Sequence, residues 1–307
     1  MPNRRISGHL LLSLAISPLL LGAACEKKKP TTDTGAMGAI DRANEQSGPV
    51  DKTPLQGIDT SKLEAGGQEL FYKLMGSLNS PCGKGHNLRT SFTQDQGCKR
   101  APYAVRYVLA LVGDEAKESD VREFYKNKYE KAPSPVKLDT SKAPRVGNDD
   151  APVRLVEFFD YQCPHCAAFA PVMDKVAETH KGKVVQYFMM YPLLEGKHPG
   201  SKSAAQAAYA AYAQGKFKEM HHKLFQSAGA LSKDHVTRYA AELGLDVAKF
   251  QADYDAAAAL VAKDEAQAQG ADVHATPTLF FNDRKYEGPQ DPEYIGMWID
   301  EELAVNR

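Results

Sequence analysis

Hydrophobic and polar residues follow different patterns in successive parts of the chain, and the first pattern is a short apolar stretch near the start. This stretch, Leu10 to Leu21, follows Arg4 and Arg5. A positive start followed by an apolar stretch of this length is typical of a secretory signal peptide, and the stretch is shorter than a transmembrane helix needs. We therefore predict a signal peptide over residues 1–25.

The predicted signal peptide ends in Gly22-Ala23-Ala24-Cys25, which resembles the lipobox of bacterial lipoproteins. The resemblance implies that Cys25 becomes the lipidated first residue of the mature chain and anchors it to a membrane. Gly22 departs from the lipobox, where Leu, Val or Ile is usual, so a plain signal peptide cleaved nearby and an uncleaved anchor are the alternatives. All of these place the rest of the chain outside the cytoplasm, in a bacterial periplasm, where disulfides persist.

Two further segments precede the region that contains the chemistry. Residues 26–60 are rich in Lys, Thr, Asp, Gly and Pro and have no hydrophobic period, which predicts a flexible linker. In residues 61–131, by contrast, apolar side chains recur at helical spacing, as in Ala104, Val105 and Val108. We predict a small helical module there.

The helical module contains Cys82 and Cys98, with fifteen residues between them in a turn-rich stretch. In an oxidising compartment, two cysteines on either side of one loop most often form a structural disulfide, and we predict one here. A second redox pair is one alternative. A metal site that uses His86 is another, although a closed zinc site needs four ligands and only three candidates are visible. We therefore predict no metal.

Residues 132–144 are rich in proline and predict a linker, after which residues 145–307 form a second domain. The run APVRLVEFFDY predicts a strand buried on both faces, and the residues that follow Cys163 and Cys166 have helical period. The two cysteines therefore lie where a strand leads into a helix. A helix N-terminus stabilises an anion, which favours the thiolate of Cys163, and the thiolate is the nucleophilic form.

The rest of the second domain predicts another buried strand, a series of alanine-rich helices, a hairpin and a closing helix. The alanine-rich helices occupy about residues 201–271. His221 and His222 lie on one of them beside lysines, and we expect both at the surface.

These elements resemble a thioredoxin-fold protein of the DsbA type over about residues 145–305. The resemblance depends on EFFDYQCPHC, on Pro171 in the helix that follows, on the helical insertion, and on ATPTLFFND near the end. The expected fold class is α/β, a thioredoxin fold with a helical insertion, preceded by a small all-helical module.

The resemblance implies roles for the residues of the CPHC motif. Cys163 would be the attacking thiol that forms mixed disulfides, and Cys166 the buried resolving thiol. Between them lie Pro164 and His165, and His165 would stabilise the Cys163 thiolate. The alternative is that His165 has no role in tuning the pair.

Three residues outside the motif also match the family. Pro277 would be the cis-proline that packs against the cysteine pair, and the backbone of Thr276 would pair with an extended substrate segment. Glu157 would be the buried acid that accepts or delivers the proton of Cys166, and burial would raise its pKa. A solvated strand residue is the alternative for Glu157.

The direction of electron flow depends on what stabilises the reduced pair, since stabilising the thiolate makes the disulfide a better oxidant. His165 and the helix N-terminus both act in this sense, so the sequence favours a thiol–disulfide oxidoreductase that donates disulfides to reduced exported proteins. The resemblance implies that a membrane quinone-linked partner reoxidises the pair.

Two alternatives for the function stay open. The protein could be a disulfide isomerase or reductase that is kept reduced. It could also be a tethered client-binding factor for cytochrome c maturation, because the helical module faintly resembles the cysteine modules of such factors.

Composition and charge indicate a folded protein and argue against a nucleic-acid partner. The 43% of apolar residues suffices for a buried core in more than one domain. With 38 Lys and Arg against 39 Asp and Glu, the net charge of −1 provides no positive field that would attract nucleic acid. We therefore expect no nucleic-acid partner, and no cofactor is predicted.

Overall fold

The structure is a computed structural model that describes residues 49–131, 134–192, 196–227 and 229–305. The predicted signal peptide, its lipobox-like end with Cys25, and most of the predicted linker at 26–60 lie outside the described residues. Within the described ranges, no helix is long and apolar enough to cross a membrane.

The helices form three groups along the chain: a module before the sheet, a single helix between two strands, and an insertion followed by a closing helix. In chain order they are α1 (Ala65–Ser77), α2 (Leu88–Thr93), α3 (Ala101–Gly113), α4 (Glu118–Tyr125) with a π-helical turn (Lys126–Glu130), α5 (Pro164–Thr179), α6 (Ser201–Tyr212), α7 (Phe217–Gln226), α8 (Lys233–Glu242), α9 (Val247–Gly270) and α10 (Pro292–Val305).

A mixed five-stranded sheet forms the centre of the second domain, in the order β1-β3-β2-β4-β5. The strands are β1 (Arg145–Gly147), β2 (Val153–Phe159), β3 (Val184–Met190), β4 (Thr278–Phe281) and β5 (Arg284–Lys285). The two central strands, β2 and β3, are parallel and connected by α5, whereas β1, β4 and β5 each run antiparallel to their neighbours. This is the predicted thioredoxin fold with a helical insertion between β3 and β4.

The central strand β2 forms where the sequence predicted a strand buried on both faces. All of its residues are buried except Arg154, which is half-buried. Its alternate side chains therefore reach two different cores. The short edge strand β1 was not predicted, because three residues that include Arg145 and Gly147 have no hydrophobic alternation of their own.

The helical module shares one continuous core with the second domain. Side chains of α1, α3 and α4, such as Phe71, Tyr107 and Tyr125, belong to the same buried cluster as Leu155 of β2 and Trp298 of α10. Because this apolar surface is common to both parts, the hydrophobic effect holds the module against the sheet and its closing helix.

A buried ion pair lies inside that shared core. The Lys128 ammonium, from the turn after α4, is 2.9 Å from one carboxylate oxygen of Glu301 in α10, and both side chains are almost fully buried. Arg100 lies 2.7 Å from the other oxygen, and the Tyr129 hydroxyl donates to the same carboxylate at 2.8 Å. The lysine also lies 3.7 Å from the ring centroid of Trp298. The positive charges of the module, on Lys128 and Arg100, are therefore paired with the negative charge of Glu301 in α10.

The insertion helices pack on the end of the sheet that carries the cysteine pair. Alanines on α6, including Ala204 and Ala208, are fully buried and belong to one cluster with Phe159, Phe188 and both motif cysteines. Small side chains let the helices approach closely, so the tyrosine- and alanine-rich run is helix packing.

Candidate active site

The two motif cysteines lie at the junction of β2 and α5. Cys163 is the N-cap of α5 and Pro164 is its first residue, a position where the missing N–H of proline costs nothing. Cys166 follows on the first turn, on the buried side of the helix. His165 and Pro164 are exposed on the opposite side of that turn. The sequence therefore places the helix N-terminus at Cys163, as the pattern of apolar residues predicted.

The two cysteines differ in exposure. The structure contains them as free thiols, with Cys163 7% exposed and Cys166 0%. Burial raises the pKa of the Cys166 thiol well above its usual range, although the backbone N–H of Asp160 opposes this effect. Cys163 is therefore the sulfur that a partner molecule can reach, whereas Cys166 is reached from within.

The loop before β4 covers the cysteine pair from the other side. The Sγ atom of Cys163 donates to the backbone carbonyl oxygen of Thr276 at 3.4 Å, and the Thr276–Pro277 peptide bond is cis. These two residues are separated by more than a hundred positions in sequence from the cysteines. The fold therefore brings together the motif and the Thr-Pro segment that the sequence singled out.

Glu157 is buried in the middle of β2, on the side of the sheet that faces α5. One of its oxygens accepts a hydrogen bond of 2.8 Å from the side-chain amide of Gln186 on the neighbouring strand. Burial raises the pKa of Glu157 to about 8; the Gln186 hydrogen bond lowers it, and the charge of Asp174 raises it further. Its charge in turn raises the pKa of Cys166, in addition to the larger effect of burial, so the two groups interact.

A small cavity of about 10 Å³ opens beside Glu157, with room for about one water molecule. Gln186, Asp174 and His221 line it together with apolar side chains and Lys218. Glu157 and Asp174 therefore border the same small cavity.

The expectation that His221 lies at the surface was wrong. It is buried within a cluster of aromatic rings, and its Nδ1 atom is 3.0 Å from the Tyr161 hydroxyl. Burial lowers the pKa of His221 to about 3, so the ring is neutral at ordinary pH. His222, its neighbour, is part-exposed and pairs with Asp174 at 2.9 Å. The rings of the two histidines lie 5.9 Å apart but differ in burial, which the nearby lysines in the sequence did not indicate.

Cys82 and Cys98 are joined by a disulfide in the helical module, with their Cα atoms 5.8 Å apart. His86 lies nearby, buried, with its Nε2 atom 3.6 Å from Asp95. Among the described residues, no group of three or more histidine, cysteine or acidic side chains could hold a metal ion.

Sequence reasoning missed four residues around the cysteine pair: Asp160, Gln162, His198 and Ser201. They connect the motif to the segment that leads into α6 through hydrogen bonds of their side chains. A charged residue directly after an apolar strand was the available signal for Asp160. His198 and Ser201 gave no such signal, because they are far from the motif in sequence and only the fold brings them next to it.

A family model described as thioredoxin matches residues 139–301, which is more than half of the chain. The chain belongs to the thioredoxin family. Among solved structures, BdbD from Bacillus subtilis is 27% identical, with a TM-score of 0.50 over 56% of this chain and 99% of that one. A thioredoxin-like oxidoreductase from Silicibacter pomeroyi is 31% identical, with a TM-score of 0.48 over 54% of this chain and 96% of its own.

Curated relatives of the thioredoxin-family chain are named as sodium–proton antiporters. NhaA 1 of Mycobacterium sp. (strain KMS) is 40% identical over 149 residues, which are 47% of this chain and 24% of the relative. NhaA of Herminiimonas arsenicoxydans is 36% identical over 151 residues, 48% of this chain and 24% of the relative. The chain thus spans about a quarter of the length of these relatives.

The expected membership of the DsbA-like thioredoxin proteins is confirmed, as is the fold class. The domain that contains Cys163 and Cys166 is a thioredoxin-fold domain of this type.

Proposed function

We propose that this protein is an extracytoplasmic thiol–disulfide oxidase that donates the Cys163–Cys166 disulfide to exported proteins. The observation that carries the proposal is the asymmetry of the pair: Cys163 caps α5 at the rim, facing Thr276, while Cys166 is fully buried beneath it. One sulfur is accessible to a substrate, and the other is placed to resolve the bond that forms.

The reaction transfers two electrons from a substrate dithiol to the pair. A substrate thiolate attacks Cys163 of the oxidised pair, which forms the mixed disulfide and breaks the Cys163–Cys166 bond, so that Cys166 leaves as a thiolate and takes a proton. The second substrate thiolate then attacks the substrate sulfur of the mixed disulfide and releases Cys163. The substrate gains a disulfide, and the pair ends as two reduced cysteines.

Glu157 supplies the proton that Cys166 takes. Because its pKa is raised to about 8, the carboxyl group carries a proton at neutral pH. The Cys166 thiol has a strongly raised pKa and retains the proton once it arrives. In the opposite direction, Glu157 accepts that proton when Cys166 attacks a mixed disulfide.

Residues around the accessible sulfur bind the substrate and set the equilibrium. The Thr276 backbone would pair with an extended substrate segment as an added strand, displacing the thiol of Cys163 from its carbonyl oxygen, while Pro277 packs against the pair. His165 and Pro164 lie exposed on the first helical turn, and His165 stabilises the Cys163 thiolate that the helix N-terminus also favours.

The oxidised pair is regenerated by a membrane quinone-linked partner in the periplasm. Lipidation of Cys25 would hold the protein at the membrane, close to such a partner. A lipid-free variant, Cys25→Ala, should be released from membranes and should be reoxidised more slowly in cells.

The reduction potential of the Cys163–Cys166 pair is the measurement that tests this proposal. Protein beginning after Cys25 is equilibrated in glutathione buffers, and both redox forms are quantified; about 30 mV corresponds to about 1.4 kcal/mol. A potential well above the glutathione poise supports the oxidase. A potential near that of thioredoxin means that the pair is kept reduced, as in the isomerase or reductase alternative.

The client-binding alternative has its own test in the helical module. Selective binding of a client such as an apocytochrome, lost on substitution of exposed module residues but kept in Cys163→Ser protein, would favour that alternative over a general oxidase. The same binding experiment run on the whole chain avoids separating the module from the core that it shares with the sheet.

A further inference from the structure

Asp160 connects both cysteines of the pair to the helical insertion. Its backbone carbonyl oxygen accepts the N–H of Cys163 at 3.1 Å, and its backbone N–H lies in hydrogen-bonding contact with the sulfur of Cys166. The backbone of this one residue therefore contacts both sulfur-bearing residues. Any shift of Asp160 moves the groups that surround the pair.

The side chain of Asp160 is completely shielded from solvent and is held by three donors. The N–H of Gln162 donates to Oδ1 at 2.8 Å, and the Ser201 hydroxyl donates to the same oxygen. The Nδ1 atom of His198 lies 2.7 Å from Oδ2. An ionised carboxylate can only accept hydrogen bonds, so Nδ1 of His198 carries the proton in this pair.

A second contact ties the same two segments together. The side-chain oxygen of Gln162 accepts the N–H of Gly200 at 2.6 Å. At Gly200 a Cβ atom would lie 2.7 Å from Cβ of Leu231 and 3.2 Å from the Gln162 oxygen, so only glycine permits this approach. The segment that contains His198 and Ser201 is therefore fitted closely against the turn before the motif.

A carboxylate charge without solvent screening acts strongly on neighbouring thiolates. An ionised Asp160 carboxylate would disfavour the anionic, reduced form of the pair, and the proton that His198 shares with it would offset that charge. The balance between these two side chains therefore bears on how oxidising the pair is.

We propose that Asp160 and His198 form a charge pair that sets the redox equilibrium of Cys163–Cys166, with His198 as its positioning residue on the insertion. The proposal rests on the proposed function, because it concerns the same exchange reaction. According to this proposal, the helical insertion contributes the side chain of His198 to the electrostatics of the active site.

Two variants test the charge pair because they should shift the equilibrium in opposite directions. His198→Ala removes the offsetting proton donor, so the equilibrium with glutathione should shift about three- to tenfold towards the disulfide form. Asp160→Asn keeps the shape, and His198 can present its other tautomer to the amide, so the hydrogen bond is retained while the charge is lost. This variant should shift the equilibrium in the other direction, towards the dithiol.

His198→Asn is the conservative variant, because its amide N–H can donate to Asp160 in place of the imidazole. It should restore at least part of the equilibrium that His198→Ala changes. His235→Ala is the matched control: His235 is half-buried on α8 and its ring bonds to the Ser232 hydroxyl. It should leave the equilibrium at the wild-type value.

All proteins are measured as the full mature chain, with thermal unfolding recorded in parallel. If His198→Ala does not fold, the results for Asp160→Asn and His198→Asn test the proposal. Shifts of opposite sign for His198→Ala and Asp160→Asn, with rescue by His198→Asn, support the proposal. Shifts of the same sign, or variants equal to wild type, overturn it. A wild-type protein that does not exchange with glutathione would instead reject the proposed function itself.

Discussion

The Sγ atom of Cys163 donates a hydrogen bond to the backbone oxygen of Thr276 at 3.4 Å, which joins the first turn of α5 to the loop before β4. Cys166, by contrast, has no exposed surface. Order of attack follows from this difference. We therefore predict that a substrate sulfur meets Cys163 first, and that Cys166 acts only on a bond that Cys163 has already formed.

Single cysteine substitutions should separate these two steps. Cys166→Ser should accumulate mixed disulfides between Cys163 and substrate, because the resolving thiol is gone, whereas Cys163→Ser should form no adducts and should have no exchange activity. Non-reducing electrophoresis of extracts, with mass spectrometry of the shifted bands, measures the adducts. A Cys166→Ser protein that never forms adducts would contradict the order of roles.

Removal of the imidazole of His165 should make the pair less oxidising. His165→Gly deletes a group that stabilises the Cys163 thiolate, so the equilibrium constant with glutathione should shift about tenfold towards the disulfide. His235→Ala, at a half-buried position of α8, is again the control. An unchanged equilibrium in His165→Gly would refute the tuning role of this side chain and leave the helix N-terminus as the cause.

The disulfide in the helical module should matter for stability and not for exchange. Replacement of both Cys82 and Cys98 by serine should lower the free energy of unfolding by about 3 kcal/mol, the chain-entropy value for a loop of this length. Urea unfolding gives the stability, and insulin reduction or glutathione exchange gives the activity. If the variant folds normally but loses turnover, the pair is a second redox centre.

The ion pair between Lys128 and Glu301 should hold the module against α10. Lys128→Met leaves the buried Glu301 charge with Arg100 alone, and loss of one partner of such a pair costs about 3–5 kcal/mol. The double variant Lys128→Met with Glu301→Leu should recover part of that loss, because the buried carboxylate is gone, while Arg100, whose side chain is 25% exposed, loses its carboxylate partner. Denaturant midpoints of the single and double variants measure the coupling; purely additive losses would show that the two side chains act independently.

Sequence pattern predicted the elements whose signals are local. The apolar run of β2, the helix that begins after Cys163 and the Thr276–Pro277 segment before β4 each have a distinctive composition, and the structure places them together. The edge strand β1 has no such composition. It forms because it pairs with β3, and that pairing exists only once the sheet has formed.

Contacts between distant segments could not be predicted in the same way. His221 lies beside lysines in sequence, yet the rings of Phe159 and Phe188 bury it. The pairing of Asp160 with His198 and the core shared by Tyr107 and Trp298 likewise depend on how helices pack, for which one sequence carries no signal. Such long-range contacts include the side chains that tune the site.

The raised pKa of Glu157 predicts a dependence of stability on pH. In the folded protein, burial raises this pKa from 4.5 to about 8, so the folded state retains a proton that the unfolded chain loses above pH 4.5. The stability that this proton contributes is fully present below pH 4.5 and is lost as the pH rises through 8.

Glu157→Gln removes that dependence. The amide cannot ionise, and it can still accept the hydrogen bond from Gln186, so the variant should gain stability relative to wild type between pH 5 and pH 8, by an amount on the order of a few kcal/mol. Urea unfolding at both pH values, with the cysteine pair kept reduced, measures the difference, and Glu178→Gln at an exposed position of α5 is the matched control. Equal pH dependence in Glu157→Gln and wild type would mean that the carboxyl group is ionised in the folded state, and it could not then deliver a proton to Cys166.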